Sequence, residues 1–334
     1  MIRQDESRGA IAYPLTAIRR GRKVGGHTIL EVYPEGRGGM ARVVRAACVS
    51  PGRVDLALKI SRVGTHQRYF FAALEREVEI LQALDHPGVV RLASISATRT
   101  CYKERAVEIS GAPWFFGMEA LRGSSLESLV RGLGPLTLDL TTWLGAQLAE
   151  ALLYVHRHGF AHNDVKPDNI LFRDVLGVGC APQPVLIDFG VAARRTRQQQ
   201  DGSIVYMSPE RLQEARHPEP PETAGAADPA KADVWSLGVL IYRMLAGREP
   251  FHGISDRSIT SAILRMTPAS IRGLRPEIPR ELEEFVLEGC LAKDPHWRLG
   301  TPEVVRFLER IDASGRLERL PHVPGPWRRW RRRA

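Results

Sequence analysis

The chain has 334 residues, of which 43% are hydrophobic and 25% are charged. This length and composition predict a globular protein with one large or two closely packed domains, and they exclude a peptide or a disordered tail. No apolar run reaches the roughly 18 residues that a membrane helix needs, and the charged residues 5–8 argue against a secretory signal. We therefore expect a cytoplasmic protein without a transmembrane segment.

The net charge of +9 is concentrated at the two ends of the chain. Residues 1–26 carry +4 and residues 313–334 carry +6, which leaves −1 for the residues between them. We expect a flexible basic leader over 1–26 and a basic tail rich in Trp and Arg over 313–334. The interleaved aromatic and basic side chains of the tail suit an anionic membrane or nucleic acid, but a solvated end is the interpretation we favour.

A β-rich segment follows the leader. Alternating apolar residues predict three strands, at 28–32, 42–47 and 54–60. In the third strand Ala57 and Lys59 share one face, while Leu56, Leu58 and Ile60 share the other. Lys59 is therefore expected to face away from the apolar set.

The turn between the first two strands is rich in glycine, at Gly36, Gly38 and Gly39. Glycines let backbone amides approach phosphate oxygens without a side chain in the way. Because the turn joins two strands, it differs from the strand-to-helix turn of a dinucleotide-binding fold. By itself the pattern fits a phosphate-binding flap and an ordinary glycine-rich hairpin about equally well.

A helix follows the third strand, with apolar residues at intervals of three and four between Phe71 and Leu84. At about 100° per residue, Glu77 falls inside the apolar arc. A carboxylate on the inward face needs a cationic partner, and Lys59 lies 18 residues before it. The predicted pair either holds the ammonium beside a polyphosphate or is a structural ion pair.

Beyond Gly123 the apolar pattern becomes mainly helical. Helices are predicted over Leu140–His156 and, buried on most sides, over Asp233–Leu245. Pro184–Glu210 and His217–Pro229 have the composition of loops, the second that of a solvated insertion. A β-rich part followed by a helix-rich part predicts an α+β protein of two lobes.

The most concentrated chemistry lies in residues 162–170, His-Asn-Asp-Val-Lys-Pro-Asp-Asn-Ile. Asp164 can accept a proton from an attacking hydroxyl, and Lys166 can neutralise a transferring phosphoryl group. Asn169 can bind a metal through its amide oxygen. Asp188, which ends an apolar run 24 residues after Asp164, supplies a second metal ligand.

Taken together, these motifs resemble those of the eukaryotic-type (Hanks-type) serine/threonine protein kinases, and the Gly-Gly-Met run at 38–40 resembles bacterial members. The glycine loop, Leu-Ala-Leu-Lys, the helix Glu, the catalytic loop and Asp-Phe-Gly stand in the family's order. Ser208-Pro209-Glu210 resembles the motif that closes the activation segment, and 233–238 the buried anchoring helix. The match covers about residues 27–310.

The resemblance implies a bilobal kinase domain over 27–312. Its small, β-rich N-lobe would cover about 27–121, and its larger, mainly helical C-lobe about 122–312. The two lobes would form the nucleotide cleft between them.

The resemblance also implies a role for each matching residue, with ATP and Mg²⁺, or Mn²⁺ in its place, as cofactors. Lys59 would bind the α- and β-phosphates with Glu77 as its partner, and Asp164 would be the base. The glycine flap would bind the phosphates, Lys166 the transferring group, and Asn169 and Asp188 the metal.

The resemblance places Val43, Ala57 and Leu171 around the adenine and Met118 behind it, before the hinge Glu119-Ala120-Leu121. It also implies an ion pair of Glu210 with Arg298.

Three positions depart from the family pattern. Ala41 replaces the third glycine of the flap, and Ser203 replaces the usual Thr but keeps its hydroxyl. Asn163 stands where most members have an Arg that receives a phosphate from the activation segment, and Asn has no charge to do so. We hypothesise that activity does not depend on phosphorylation of this segment, although Thr196, Ser203 and Tyr206 are available there.

The implied activity is transfer of the γ-phosphoryl group of ATP to Ser or Thr hydroxyls of proteins, the chain itself included. A catalytically inactive nucleotide-binding scaffold is the alternative, but the residues that such relatives lose are all present here. A small-molecule kinase is disfavoured by Gly202-Ser203 and Ser208-Pro209-Glu210, which resemble a peptide-docking surface. The sequence leaves open the substrate, the activating signal, the Ser or Thr preference, the oligomeric state and the role of the insertion.

Overall fold

A computed structural model describes residues 18–33, 41–48, 55–64, 66–96, 98, 100–176, 181–190, 204–216 and 228–311. The chain divides into two compact units. Unit 1 comprises Met1–Asp85 and Val90–Leu121, and unit 2 comprises His86–Val89 and Arg122–Ala334. The main division therefore falls between residues 121 and 122, but the four residues 86–89 belong with the second unit.

Unit 1 is built on a six-stranded antiparallel sheet in the order β1-β2-β3-β4-β6-β5. Its strands are β1 (Lys23–Val24), β2 (His27–Val32), β3 (Ala41–Ala47), β4 (Leu56–Ser61), β5 (Lys103–Arg105) and β6 (Trp114–Glu119). The three strands predicted from alternation correspond to β2, β3 and β4. Strand β5 has only three residues, and the six residues of β6 do not alternate between apolar and polar types.

The register of the sheet decides which residues share a face. Val43 lies opposite Lys59, and Ala57 lies opposite Met118. Because paired residues of antiparallel strands point to the same side, these four share one face. The other face packs into a core of buried apolar residues that includes Val44, Ala46, Leu56, Leu58, Ile60 and Phe115. The predicted separation of Lys59 from the apolar side chains is confirmed.

The long helix α1 of unit 1 spans Gln67–Gln82. Its buried positions repeat at intervals of three and four and include Glu77 among apolar residues. The carboxylate therefore lies on the inward face, as the periodicity predicts.

The segment before β2 differs from the prediction. Ile18 and Val24 are both buried in the core of unit 1, and β1 pairs with β2 through Val24 opposite His27. The expectation of a flexible leader is thus wrong for residues 18–26. Two isolated apolar residues among basic side chains show no periodicity, so the sequence pattern does not indicate that they are buried.

Unit 2 is mainly helical. Its elements are α2 (Leu126–Leu133), α3 (Leu138–Arg157), a 3₁₀ turn (Pro167–Asn169), β7 (Ile170–Phe172), β8 (Pro184–Leu186), a second 3₁₀ turn (Ile204–Tyr206), α4 (Pro209–Arg216), α5 (Pro229–Ala246), α6 (Asp256–Arg265), α7 (Arg280–Glu284), a π-helical turn (Phe285–Cys290) and α8 (Thr301–Leu308). The strands β7 and β8 pair antiparallel with each other. None of the helices in the described ranges is long and apolar enough to cross a membrane.

Helix α5 is the centre of unit 2. The Asp228 side chain caps its start by accepting a hydrogen bond from the Ala230 backbone N–H. The helix ends at Gly247, whose φ of 71° is the left-handed conformation that glycine adopts without a Cβ penalty. Nearly all residues from Ala232 to Leu245 are buried, so this helix has almost no solvent face.

Two segments predicted as loops need correction. Pro184–Glu210 contains β8 and a 3₁₀ turn, and α4 begins at Pro209. These elements are short, and three-residue strands carry too few alternations to be recognised in a sequence. In the second segment Pro229 is the first residue of α5, where proline is well accommodated. Residues 217–227 lie outside the described part of the chain.

Candidate active site

In unit 1 the predicted ion pair between β4 and α1 is formed. Lys59 Nζ donates to both carboxylate oxygens of Glu77, at 2.8 Å to Oε1 and 2.6 Å to Oε2. Lys59 is 8% exposed and Glu77 is 2% exposed. Burial makes each charge dependent on the other, because an unpaired charge in this position would be strongly disfavoured. The pair fixes an ammonium group on the sheet face opposite the core.

The same face carries three of the residues implied to contact the nucleotide. Ala57 and Met118 are buried, and Val43 is half-buried. Together with Lys59 they form an apolar surface with one ammonium group at its edge. This combination suits a flat aromatic ligand that bears phosphates.

The hinge residues continue from the end of β6. The Glu119 backbone N–H donates to the Arg91 carbonyl at 3.0 Å, and the Glu119 carboxylate accepts from the Arg91 backbone N–H at 3.0 Å. Leu121 is buried. The glycines predicted to bind phosphate, at 36, 38 and 39, lie outside the described residues.

In unit 2 the residues of the 162–170 motif converge on Asp164. Its Oδ2 accepts a hydrogen bond from Lys166 Nζ at 2.6 Å and another from Asn169 Nδ2 at 2.7 Å. Asn169 Nδ2 also donates to the Asp164 backbone carbonyl at 2.9 Å. These contacts orient the carboxylate, and both of the described side-chain bonds use the same oxygen. Oδ1 is the oxygen that they leave for an incoming hydroxyl group.

The environment of Asp164 makes it a stronger base than an ordinary aspartate. Burial raises the pKa of its carboxyl group, and the nearby Asp188 carboxylate raises it further. The charge and hydrogen bond of Lys166 oppose this rise. A carboxylate with a raised pKa accepts a proton more readily, which is the property that proton transfer from a hydroxyl requires.

Two oxygen-bearing side chains near this loop can hold a divalent metal. Asn169 ends the 3₁₀ turn and uses its amide nitrogen for Asp164, so its amide oxygen is the atom available to a metal. Asp188 has a left-handed φ of 64°, and its Oδ1 accepts from the Gly190 backbone N–H at 3.2 Å. Amide and carboxylate oxygens are the donors that Mg²⁺ prefers. The donor set therefore fits this ion.

His162 connects the loop that carries Asp164 and Asn169 to the segment that carries Asp188. Its Nδ1 accepts from the Asp164 backbone N–H at 3.3 Å, which requires that Nε2 carry the proton. Nε2 then donates to the Ile187 carbonyl at 3.1 Å, directly before Asp188. The ring also packs against Phe189 at 4.6 Å between centroids. His162 thus packs beside Phe189 and links the Asp164 backbone to the Ile187 carbonyl.

Asp233 anchors the loop of residues 162–170 to α5, a contact that the sequence motifs alone do not predict. Its carboxylate accepts from the backbone N–H groups of His162 at 2.7 Å and Asn163 at 2.8 Å, and it contacts His156 Nε2 at 2.8 Å. Burial alone would raise the pKa of Asp233, but the hydrogen bond from His156 and the nearby histidines outweigh it and lower the pKa. Two signals exist in the sequence: residues 233–238 resemble the family's anchoring helix, and Asp233 is an aspartate within a mainly apolar helix.

The second predicted ion pair is also formed. Arg298 Nη1 and Nη2 donate to Glu210 Oε1 and Oε2 at 2.7 and 2.8 Å. Arg298 is 2% exposed, and its Nε and Nη1 also donate to the carbonyls of Ala292 and Lys231. This pair fixes the start of α4 to the loop before α8.

Tyr206 differs from the expectation that it is available for phosphorylation. Its side chain is 7% exposed, and its hydroxyl accepts from Arg243 Nη1 at 2.8 Å. Arg243 also donates to both oxygens of Glu127, at 2.7 and 3.1 Å. A phosphate would not fit on this buried hydroxyl. The other two hydroxyl residues of the segment, Thr196 and Ser203, lie outside the described residues.

Leu171 lies in β7 and is half-buried, two residues after Asn169. The sequence-based site residues of unit 2 are thus held within a loop, a turn and a short hairpin that share hydrogen bonds. In unit 1, Val43, Ala57, Lys59 and Met118 share one face of a sheet, and Glu77 reaches Lys59 from α1. The combination of an antiparallel sheet bearing a Lys–Glu pair and a mainly helical unit bearing these loops is the bilobal α+β fold of protein kinases.

Comparison with protein families gives the same classification. The family model described as the protein kinase domain matches residues 34–307. The chain therefore belongs to the protein kinase family.

Curated relatives are bacterial members of this family. The chain is 28% identical over 291 residues to the serine/threonine-protein kinase PrkC of Bacillus subtilis, which covers 85% of this chain and 40% of PrkC. It is 30% identical over 291 residues to PknB of Mycobacterium leprae, covering 86% of this chain and 43% of PknB. A probable serine/threonine-protein kinase of Streptomyces coelicolor, SCO3848, is 29% identical over 287 residues, with 86% and 39% covered. The chain thus spans about two fifths of the length of these relatives.

Proposed function

We propose that this protein is a serine/threonine protein kinase that transfers the γ-phosphoryl group of ATP to hydroxyl groups of proteins, itself included. The observation that carries the proposal is the arrangement at Asp164, whose carboxylate is oriented by Lys166 and Asn169 and has a raised pKa. The family membership and the names of the relatives support it.

In this mechanism each unit supplies part of the chemistry. Lys59, held by Glu77, binds the α- and β-phosphates, and the face formed by Val43, Ala57 and Met118 contacts the adenine. Backbone groups of Glu119 and Leu121 bind the adenine edge, and Leu171 packs on the ring. Glycines 36, 38 and 39 bind the phosphates through their backbone N–H groups.

Catalysis rests mainly on positioning and on neutralisation of charge. Asp164 orients the substrate hydroxyl and accepts its proton, and Lys166 donates to the transferred group. Asn169 and Asp188 hold the metal, for which we propose Mg²⁺, with Mn²⁺ able to replace it. When bound, the ion neutralises charge on the phosphate oxygens. We place the reaction in the cytoplasm.

The assignment to hydroxyl groups of Ser and Thr has two supports. Lys166, two residues after the base, resembles the serine/threonine branch of the family, and the relatives are named serine/threonine-protein kinases. A catalytically inactive scaffold is the alternative. It is disfavoured because Asp164 and Lys166, which nucleotide binding alone does not need, are both present and hydrogen-bonded to each other.

The direct test replaces Asp164 in the whole chain. The wild-type protein is incubated with radiolabelled ATP, Mg²⁺ and a protein acceptor, and the phosphorylated residues are identified after hydrolysis. Asp164→Asn should lose about 10²- to 10⁴-fold in rate, because it cannot accept the proton. Nucleotide binding, measured by thermal shift with ATP, should persist.

Asp168→Asn is the matched control, because Asp168 is an exposed aspartate in the same loop. It should retain the wild-type rate. A wild-type protein that binds ATP without transferring phosphate would support the scaffold instead, and an Asp164→Asn protein of full activity would refute the role of the base. Chelation of divalent metal should abolish transfer, and added Mg²⁺ should restore it.

A further inference from the structure

Asn163, the residue before the proposed base, adopts an unusual backbone conformation. Its φ is 63°, in the left-handed region that Asn tolerates better than most residues other than Gly. Asp164 follows directly, so a rotation about the Asn163 backbone would move the Asp164 carboxylate. The conformation of this one residue therefore sets the position of the base.

Both polar groups of the Asn163 backbone have partners from distant elements. Its N–H donates to Asp233 Oδ1 on α5 at 2.8 Å. Its carbonyl accepts a hydrogen bond from Arg211 Nη1 on α4, 48 residues later in the chain. The two contacts hold the left-handed residue from opposite ends of its own backbone.

Arg211 lies in an environment that a surface arginine would not occupy. Burial lowers the pKa of its guanidinium group, and the carboxylates of Asp233 and Asp164, followed by Glu214 and Glu210, raise it. An arginine remains charged in such surroundings. The contacts of this guanidinium group offset the cost of its desolvation. A hydrogen bond from a charged donor to a carbonyl is also stronger than one from a neutral donor.

The Arg211 contact coincides with the main departure of this chain from its family pattern. Asn163 has no charge with which to bind a phosphate on the activation segment. Arg211 brings a cation to the same residue from α4, directly after Glu210, whose pair with Arg298 fixes the start of this helix. The cation is therefore present whether or not any residue carries a phosphate.

We propose that Arg211 is a positioning residue that holds Asp164 in place through the Asn163 backbone and so replaces an activating phosphate. The inference rests on the proposed kinase function and deepens it by stating how the site is regulated. It assigns the ordering of the catalytic loop to a permanent contact between α4 and the loop. The enzyme should then be active as synthesised.

The test compares Arg211→Gln and Arg211→Lys with the wild type. Arg211→Gln should lower kcat about 10- to 100-fold, as expected for a displaced base, and leave KM for ATP within about twofold. Arg211→Lys, which keeps a charged donor, should recover part of the loss. Arg257→Gln makes the same chemical change at an exposed arginine of α6 and should behave as wild type.

A merely structural role would give a different pattern. It predicts a lower thermal unfolding temperature for both Arg211 variants with kcat per folded molecule unchanged, and this result would overturn the proposal. Equal kcat in Arg211→Gln and wild type would also overturn it. If Arg211→Gln fails to fold, the Arg211→Lys protein provides the test. A kcat equal to that of the wild type together with a lower unfolding temperature would overturn the positioning role.

A second arm tests the regulatory part. Wild-type protein treated with phosphatase and a Thr196→Ala variant should both keep activity within about twofold. If both lose activity, and a phosphate on Thr196 restores the phosphatase-treated wild type, Arg211 receives a phosphate and does not replace it. An inactive wild type in every condition would mean that the proposed function itself has failed, which is distinguishable from all outcomes above.

Discussion

The two units hold their charged site residues by different means. In unit 1, the contact is between two long side chains, Lys59 and Glu77, on the face of the sheet opposite the core. In unit 2, Asp164 lies in a loop whose backbone N–H groups are bound by Asp233 of the buried helix α5. The first arrangement joins two side chains, and the second joins a loop backbone to a core helix.

This difference separates function from stability in one unit and couples them in the other. Lys59 lies on the sheet face opposite the apolar core cluster, so the packing of that core face is kept when the pair is altered. Asp233 is fully buried within α5, and removing it leaves loop donors unpaired against the core. Variants of the two kinds should therefore differ in how activity and folding change together.

The largest effect is expected from Asp233→Ala. The substitution leaves the N–H groups of His162 and Asn163 and the ring of His156 without their acceptor. At about 1 to 3 kcal/mol for each buried unsatisfied group, unfolding should become easier by about 4 kcal/mol or more. Urea denaturation measures this change. The exposed Asp174→Ala is the control, and a stability equal to that of the control would contradict the anchoring role.

The pH dependence of stability gives a second test at the same residue. The pKa of Asp233 is lowered in the folded state, so its stabilising contribution is fully present above the unfolded pKa of about 3.9 and is lost as the pH falls through the lower folded pKa. The stability difference between wild type and Asp233→Asn should therefore be largest near neutral pH and shrink below about pH 4. Urea midpoints measured from pH 7 to pH 3 provide the comparison, and a constant difference would count against this assignment.

Glu77→Gln should lower activity and leave the core face of the sheet in unit 1 packed. The neutral amide keeps a hydrogen bond to Lys59 but leaves a buried ammonium without its counter-charge, so stability should fall by about 3 kcal/mol, less than for Asp233→Ala. Phosphate transfer should fall about 10-fold or more, because the ammonium is less firmly held. Urea denaturation and the rate of transfer are measured on the same protein. Glu79→Gln, at an exposed position of α1, should change neither, and a stability loss as large as that of Asp233→Ala would remove the contrast between the units.

The smallest effect is expected from Tyr206→Phe. Only the hydrogen bond from Arg243 to the hydroxyl is lost, and Arg243 keeps both bonds to Glu127. Stability should fall by about 1 kcal/mol, as measured by urea denaturation. If the wild-type protein phosphorylates itself, mass spectrometry should find no phosphate on Tyr206 in the folded enzyme. Phosphate at this position would show that the segment opens.

Local patterns were enough to predict the main elements and the paired charges. Alternation located β4 and the face of Lys59, and helical periodicity placed Glu77 inside α1. The family spacing supplied the pair of Glu210 with Arg298. In each case the charge of the side chain and its position in a strand, a helix or a family motif together predict its partner.

The rest could not be predicted because its signal is short or lies in the backbone. Strands β5 and β8 have three residues each, and the burial of Ile18 depends on contacts with distant strands. Arg211 donates to a main-chain carbonyl, which is present at every residue and leaves no mark in the sequence. A partner of this kind becomes visible only when the fold brings α4 to the loop.

The nearly complete burial of α5 has a consequence for solvent exchange. Amide protons of a helix without a solvent face are exposed only when the surrounding structure unfolds, so they should exchange with deuterium among the slowest in unit 2. Asp233 belongs to this helix, and the loop attached to it should share part of that protection. The position of Asp164 is then maintained for as long as unit 2 stays folded. The loop does not exchange between an ordered and a disordered state that another group would have to stabilise.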